Sequence, residues 1–296
     1  MKFFSIILIL VVPVFSNAQP GAANLKTNAD DNTLLWEVSG NGLTKPSYLF
    51  GTFHLLCRDD IRFSDALKQG VQNAAEVYLE LDMDDPSTLL GGLMLMNMKG
   101  NRKLKDLYTE VEYKRVVDYF RDSLQAPVNL FQSMKPFFLV ALLYPKMMPC
   151  PSVSSVEDEI MKLAKQNGKE IKGLETMAFQ ASVFDSIPYE EQAAELLRSI
   201  DSMVLSKKYF DSMITAYKEQ RMGELESLMK NEEFGMESNQ DILLDNRNRN
   251  WVGQLKTIMK QAAVFVAVGA GHLPGKTGLI ALLRKEGYTL RPVENR

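Results

Sequence analysis

Apolar and polar positions change their period twice along the chain. Near its start, two short runs of strand formers, Leu34–Ser39 and Ser47–Phe50, flank the turn-forming cluster Ser39-Gly40-Asn41-Gly42 and predict a hairpin. A loop over Leu55–Arg62 follows. Phe63, Leu67 and Val71 then recur at four-residue spacing and predict a helix with Ser64 as its cap. Val77–Leu81 predicts the next strand, with Glu80 near its end and Asp82 just beyond. Strand, helix and strand at this length make a βαβ unit, whose strands run parallel with a right-handed crossover. The end of the chain repeats the order: a helix over about Ile242–Ala262, a strand at Val264–Val268, a helix over Lys276–Lys285 stopped by Gly287, and a strand at Tyr288–Val293.

Between these ends the period is helical. Leu89, Leu90, Leu93, Met94 and Met96 form a Met-rich stretch, suited to a buried helix or to an adaptable surface for an apolar substrate segment. Thr109 with Glu112 fits a capping box ahead of Val116, Val117, Phe120 and Leu124, and Pro127 closes that helix; Ser154 with Glu157 fits a second box, ahead of a helix ending near Gly168. Phe137–Leu143 is apolar over too few residues to cross a membrane and reads as core. Glu170–Leu174 returns to strand character with Glu175 at its end. Leu196, Leu197, Ile200, Met203 and Val204 share one helix face, and Phe210, Met213, Ile214 and Tyr217 another, as core packing requires. Glu232–Gln240 is polar and predicts a loop. The fold class that follows is α/β: a central mixed β-sheet with flanking helices, built from two βαβ-like halves, plus a mainly helical insertion over about 86–239. Residues 33–296 form a single domain on this plan.

Composition adds a compartment. Lys2, the apolar stretch Phe3–Phe15 and the small residues Ser16-Asn17-Ala18 read as a signal peptide over 1–18, cleaved after Ala18, with 19–32 as a flexible tether. The apolar stretch is too short for a span, so no membrane span is expected in the mature chain, and the location is periplasmic or secreted. A formal net charge of −3 gives no argument for nucleic acid or anionic membrane as a partner. Cys57 and Cys150, the only two cysteines, suit a disulfide in an oxidising compartment; the alternative is a thiolate metal ligand, Cys57 lying three residues after His54.

The candidate chemistry lies at the strand ends. The only two histidines close the same pattern, Gly51-Thr52-Phe53-His54 and Gly269-Ala270-Gly271-His272, each just past an apolar strand. Glycine at that place lets the backbone turn sharply or approach another group closely. With 18 glycines in 296 residues, chance puts one there before both histidines in about one trial in 270. Neutral imidazoles with a carboxylate suit a divalent ion such as manganese, cobalt or zinc, so His54, His272 and Glu80 are the candidate metal ligands. Such an ion activates water for hydrolysis without a serine or cysteine nucleophile. Glu80 is ligand or general base. Glu175 or Asp82 would act as a base or fix an imidazole tautomer, and Arg247 would stabilise an oxyanion or pair with a nearby carboxylate. Other classes find no motif. The chain has no GxSxG elbow and no phosphate-binding GxxxxGK[ST] loop, and Gly269-Ala270-Gly271 lacks the third glycine of a dinucleotide fingerprint.

Leu35-Trp36-Glu37-Val38 through Tyr48-Leu49-Phe50-Gly51-Thr52-Phe53-His54, then Tyr78-Leu79-Glu80-Leu81-Asp82, resembles the amino-terminal signature of the TraB/GumN/TIKI family. Val266-Ala267-Val268-Gly269-Ala270-Gly271-His272-Leu273-Pro274-Gly275, with Gly278-Leu279 and Gly287-Tyr288, resembles its carboxy-terminal one. Gly173-Leu174-Glu175-Thr176 and Arg247-Asn248 with Trp251 fit the GumN-like bacterial branch. The resemblance implies a fold related to erythromycin esterase and to a haem-binding lipoprotein. The animal TIKI members are membrane-tethered metalloproteases dependent on manganese or cobalt, and their motif residues map to His54, Glu80 and His272. It therefore implies a metal-dependent hydrolase of peptidase type, with a peptide or small-molecule substrate. The readings set beside it are a haem- or metal-binding protein without catalysis and an interaction protein that uses the helical insertion.

Overall fold

A computed structural model describes residues 32–85, 91–92, 94–230 and 239–296. The signal peptide, the tether up to residue 31, positions Leu89, Leu90 and Leu93, and most of the polar 232–240 stretch lie outside the described residues.

The strands are β1 (Leu35–Gly40), β2 (Ser47–Thr52), β3 (Leu56–Cys57), β4 (Glu76–Leu81), β5 (Val153–Ser154), β6 (Glu170–Glu175), β7 (Val264–Gly269) and β8 (Tyr288–Pro292). The helices are α1 (Asp65–Asn73), α2 (Glu110–Asp122), α3 (Pro136–Ala141), α4 (Tyr144–Met147), α5 (Val156–Gln166), α6 (Met177–Asp185), α7 (Tyr189–Asp201), α8 (Met203–Lys218), α9 (Met222–Met229), α10 (Asn246–Gln261) and α11 (Leu279–Lys285).

Six strands form one sheet in the order β6-β4-β7-β2-β1-β8. β6, β4, β7 and β2 run parallel, and β1 is antiparallel to both of its neighbours. The sheet is therefore mixed, as the pattern predicts, and β2–α1–β4 and β7–α11–β8 are the two βαβ units. In neither are the two strands adjacent: β7 lies between β2 and β4, so the halves interleave. β7 is buried at every position, and its Val-Phe-Val-Ala-Val run is what a central parallel strand covered on both faces requires. The carboxyl ends of β2, β4, β6 and β7 meet at one edge, where ligands gather in parallel sheets.

Two apolar cores flank that edge. One packs α1, α5, α10 and α11 on the sheet around Trp36, Phe265 and Trp251. The other is helical, built around Phe120, Phe137 and Phe184. Phe53, between the first glycine and histidine of motif one, packs against both. Lys135, 1 % exposed, ties the helical core together by donating to the carbonyls of Leu95 and Ala181 and pairing with Asp185 at 2.8 Å.

Several local expectations shift. Ser64 caps α1 by accepting from the Leu67 N–H, but Phe63 lies ahead of the cap and packs edge-on against Phe50. The cap of α5 is Ser155, which accepts from Asp158 N–H, so Ser154 and Glu157 do not form the box their spacing suggests. The stripe Leu196–Val204 is broken at Ser202, where the backbone leaves helical geometry between α7 and α8; Val204 consequently faces solvent, 89 % exposed. Residues 241–245 form a turn of π-helix before α10, and α11 begins at Leu279 rather than Lys276. In the Met-rich stretch Met94 is exposed and Met96 buried. Among the described residues, no helix is long and apolar enough to cross a membrane.

Within the predicted loop after His54, β3 pairs with β5, and Cys57 is bonded to Cys150 across 93 residues of sequence. The thiolate-ligand alternative falls with that bond. A covalent loop of this length restricts the unfolded chain strongly. Replacing both cysteines by alanine is expected to lower the free energy of unfolding by about 3 kcal/mol, read from urea melts; a change below about 1 kcal/mol would refute the assignment of that stability to the bridge.

Candidate active site

Gly51, in the last turn of strand β2, shows why the motif needs glycine. A Cβ there would stand 3.1 Å from the Ala270 Cα and 3.2 Å from its Cβ, so the two GxxH segments press against each other backbone to backbone. Tyr217 donates to the Gly51 carbonyl at 2.9 Å and fixes the same turn from α8. Both histidines thus leave neighbouring parallel strands at one edge.

His54 is anchored from α5. Its Nδ1 lies 2.7 Å from Glu157 Oε1, which also accepts from the Thr52 hydroxyl at 2.5 Å. The Phe53 carbonyl accepts from Val156 N–H, so the start of α5 is hung on the motif itself. A carboxylate at Nδ1 fixes the proton there and leaves the lone pair on Nε2, which is buried and has no hydrogen-bond partner. Burial opposes a charge on the ring, but the Glu157 carboxylate outweighs it and raises the His54 pKa.

His272 is anchored from α10 and is fully buried. Its Nδ1 is 2.7 Å from Asn248 Oδ1, and Asn248 Nδ2 donates to the Thr277 carbonyl, which orients the amide with its oxygen toward the ring. The proton is again on Nδ1 and the lone pair on Nε2, which faces Arg247 Nη1 at 3.3 Å and Glu80 Oε1 at 3.8 Å. Trp251 packs on the ring with centroids 4.4 Å apart. Burial foremost, with the nearby Arg247 charge, pulls its pKa down to about 3 despite Glu80.

Glu80, at the end of β4, accepts from Gly269 N–H at 2.9 Å through Oε1, and from Arg247 Nη2 at 2.6 Å and Gln180 at 3.2 Å through Oε2. Burial works against its charge, yet Arg247 above all holds the carboxyl down at about 2. Glu175, at the end of β6, takes Arg247 Nε at 3.0 Å and Nη2 at 2.8 Å, and Trp251 Nε1 at 2.9 Å. Burial raises its pKa, but each of these contacts is a donor, which a neutral carboxylic acid would not satisfy. Arg247 also donates Nη1 to the Leu243 carbonyl, so its five N–H groups are all engaged, chiefly by the two carboxylates.

The structure therefore gathers His54, Glu80, Glu175, Arg247 and His272 at one edge. Asp82 does not join them; it faces Asp84, and its carboxyl is raised by burial and that neighbour. The imidazoles are fixed instead by Glu157 and Asn248. The arrangement of α10 was available in sequence only as Arg247, Asn248 and Trp251 within the resemblance to the GumN-like branch. Glu157 carried a misleading local signal.

A cavity of about 40 Å³ opens between His54, Glu80, Glu157 and Gln180, large enough for a water or an ion. Among the described residues no three His, Cys, Asp or Glu side chains stand close enough together to hold a metal as they are placed. The donor chemistry does suit a divalent ion: the unpartnered Nε2 of His54 and the Nε2 of His272, which here accepts from Arg247, each on a ring tied at Nδ1 to an oxygen as metal-binding histidines are, beside an ionised carboxylate.

A profile of the TraB/PrgY/gumN family matches residues 34–292. The chain is 21% identical to a zebrafish (Danio rerio) protein named Metalloprotease TIKI1 over 348 aligned residues, covering 97% of this chain and 69% of that protein. It is 21% identical to the Metalloprotease TIKI homolog of the sponge Amphimedon queenslandica, covering 96% of this chain and 66% of the relative. A shorter match, 28% identical over 113 residues, joins it to zebrafish Metalloprotease TIKI2, covering 38% of this chain and 20% of that protein. No solved structure gives a significant match.

Proposed function

Because the chain belongs to the TraB/PrgY/gumN family, we propose that it is an exported, metal-dependent hydrolase of peptidase type, with its active site at the edge where the two GxxH segments meet. The observation that carries this reading is the matched state of the two imidazoles: each is held at Nδ1 by a fixed oxygen, and the buried Nε2 of His54 has no partner in the protein. The names of the relatives at 21% identity support hydrolysis of peptides, and the disulfide supports an oxidising compartment.

His54, His272 and Glu80 are the residues that would hold the divalent ion, manganese, cobalt or zinc. Bound there, it would make a water nucleophilic at neutral pH and polarise the scissile carbonyl. The chain's own groups supply the rest. His272 is neutral across the physiological range, and its Nε2 lone pair, which accepts from Arg247 Nη1, would turn to the ion as that contact is given up. Arg247 keeps Glu80 ionised and aimed, and Glu175 holds Arg247 in place. Glu157 lines the cavity beside His54 and keeps Oε2 without a partner, so it is the group placed to take the proton of the attacking water.

Protein purified without chelator is expected to carry metal and to cleave peptides, and the His54→Ala, His272→Ala double variant to lose both. Equal metal content and equal hydrolysis in the two proteins would overturn the reading. Glu157→Gln should retain metal while its kcat falls by about 10²-fold or more.

A further inference from the structure

His54 and the Gly269–Gly271 turn border a second, larger cavity of about 110 Å³. Phe53, Met147, Phe210, Met213, Leu225 and Met229 make its walls, and they come from the motif, α4, α8 and α9. Three unbranched methionines among them form an adaptable apolar lining. Gly271 lets Met229 pack directly on the motif: a Cβ there would fall 2.3 Å from the Met229 methyl.

One lining residue does not belong in such a wall. Glu195, from α7, is 5 % exposed yet borders this cavity. Its Oε1 accepts from Ser199 at 3.2 Å. Its Oε2 lies 3.2 Å from Arg198 Nη2 on the same helix without the alignment of a hydrogen bond, and is buried with no bonded partner. A carboxylate in an apolar cavity is costly unless cations complete it, and burial pushes this carboxyl up to about 7 even with Arg198 paired to it. The mechanism above does not use this group.

We propose that this cavity receives a substrate side chain next to the scissile bond, and that it selects a straight apolar stem ending in an ammonium group, as in lysine. The methionine and phenylalanine walls take the stem, and Glu195 Oε2 takes the ammonium, aided by the Ser199 and Ser206 hydroxyls that also line the cavity. The assignment to a substrate, though not the binding preference itself, rests on the hydrolase reading.

The test uses blocked tripeptides with a central lysine, norleucine or glutamate and reduced, uncleavable backbone bonds, titrated into the full-length protein by calorimetry. Norleucine has the lysine stem without the charge. The lysine peptide is expected to bind at least tenfold more tightly than the norleucine peptide, and the glutamate peptide weakest. Glu195→Gln should bring lysine and norleucine within about twofold of each other and leave norleucine affinity unchanged. Should that variant not fold, Met213→Lys, which puts a competing ammonium into the cavity, must abolish the lysine preference. Because the preference is read as binding of uncleavable peptides, it holds whether or not the protein hydrolyses them, which separates this proposal from the hydrolytic one. Norleucine binding as tightly as lysine, a lysine preference that survives Glu195→Gln, or no binding of any peptide would overturn it.

Discussion

Arg247→Met is expected to lower the free energy of unfolding by about 3–5 kcal/mol, a large share of the roughly 5–15 kcal/mol that holds a domain together. Arg247 is 4 % exposed and sits between two buried carboxylates, its guanidinium also lying 4.8 Å from the Trp251 ring centre. Methionine keeps much of the volume and stacking but leaves Glu80 and Glu175 facing each other without a cation. If uncompensated charge is the cause, the triple variant Arg247→Met, Glu80→Gln, Glu175→Gln should recover most of the loss, because the charges that needed Arg247 are gone. Urea melts at pH 7 decide it. A single variant within about 1 kcal/mol of the parent would show that the three groups are not coupled as described.

The second large effect is acid sensitivity set by one ring. His272 has a folded pKa of about 3 against an ordinary 6.5, so below pH 6.5 the unfolded chain binds a proton that the folded chain refuses. Stability should therefore fall as pH drops through this window. His54 has the opposite sign. Its folded pKa is raised, so its contribution is complete below pH 6.5 and is lost only as pH rises through its folded value. Glu80, with a folded pKa of about 2, adds its own loss only below about pH 4.5. Between pH 6 and 5 the loss of stability among the site residues thus comes from His272, Glu175 with its raised carboxyl acting in the opposite sense. In the metal-free protein the parent's slope should exceed that of His272→Gln by about 1.4 kcal/mol per pH unit; the difference is what isolates the ring, because Glu195, pushed up to about 7 by burial, contributes with the opposite sign in the same window. With only two histidines in the chain, proton NMR can follow both rings directly: one titrating above 6.5, one still neutral at pH 4. Equal slopes in the parent and His272→Gln, or two rings titrating together, would contradict the structure.

The strand ends and the chemistry placed on them were legible because they are local. The short run Val264–Val268, rich in valine and bounded by Gly269, reads as a buried strand, and glycine three residues before each histidine marks a close approach that proved to be Gly51 against Ala270. The interleaving of the two halves was not legible, since no local pattern says that β7 enters between β2 and β4. Glu157 was misassigned for a similar reason. Ser154-x-x-Glu157 and Ser155-x-x-Asp158 both satisfy a cap pattern, and only the tertiary hydrogen bond from Val156 N–H to Phe53 selects the second. That one-residue shift is what frees Glu157 to reach His54 and Thr52. The exposed Val204 shows the converse: a helical stripe predicts burial only while the helix continues, and Ser202 ends it.

The place of β7 also sets the order in which the molecule can become itself. β2 and β4 are made early, but they are not neighbours; the slot between them waits for a strand made late, and Gly269 reaches Glu80 across 189 residues of sequence. Until that strand arrives, β4 can pair with β6 and β1 with β2, but neither the hydrogen bonds that join these pairs nor the second histidine exists. Pairings this distant close slowly and late in folding. Core and active site are therefore completed in the same event, and a chain stopped before β7 has no partly working form.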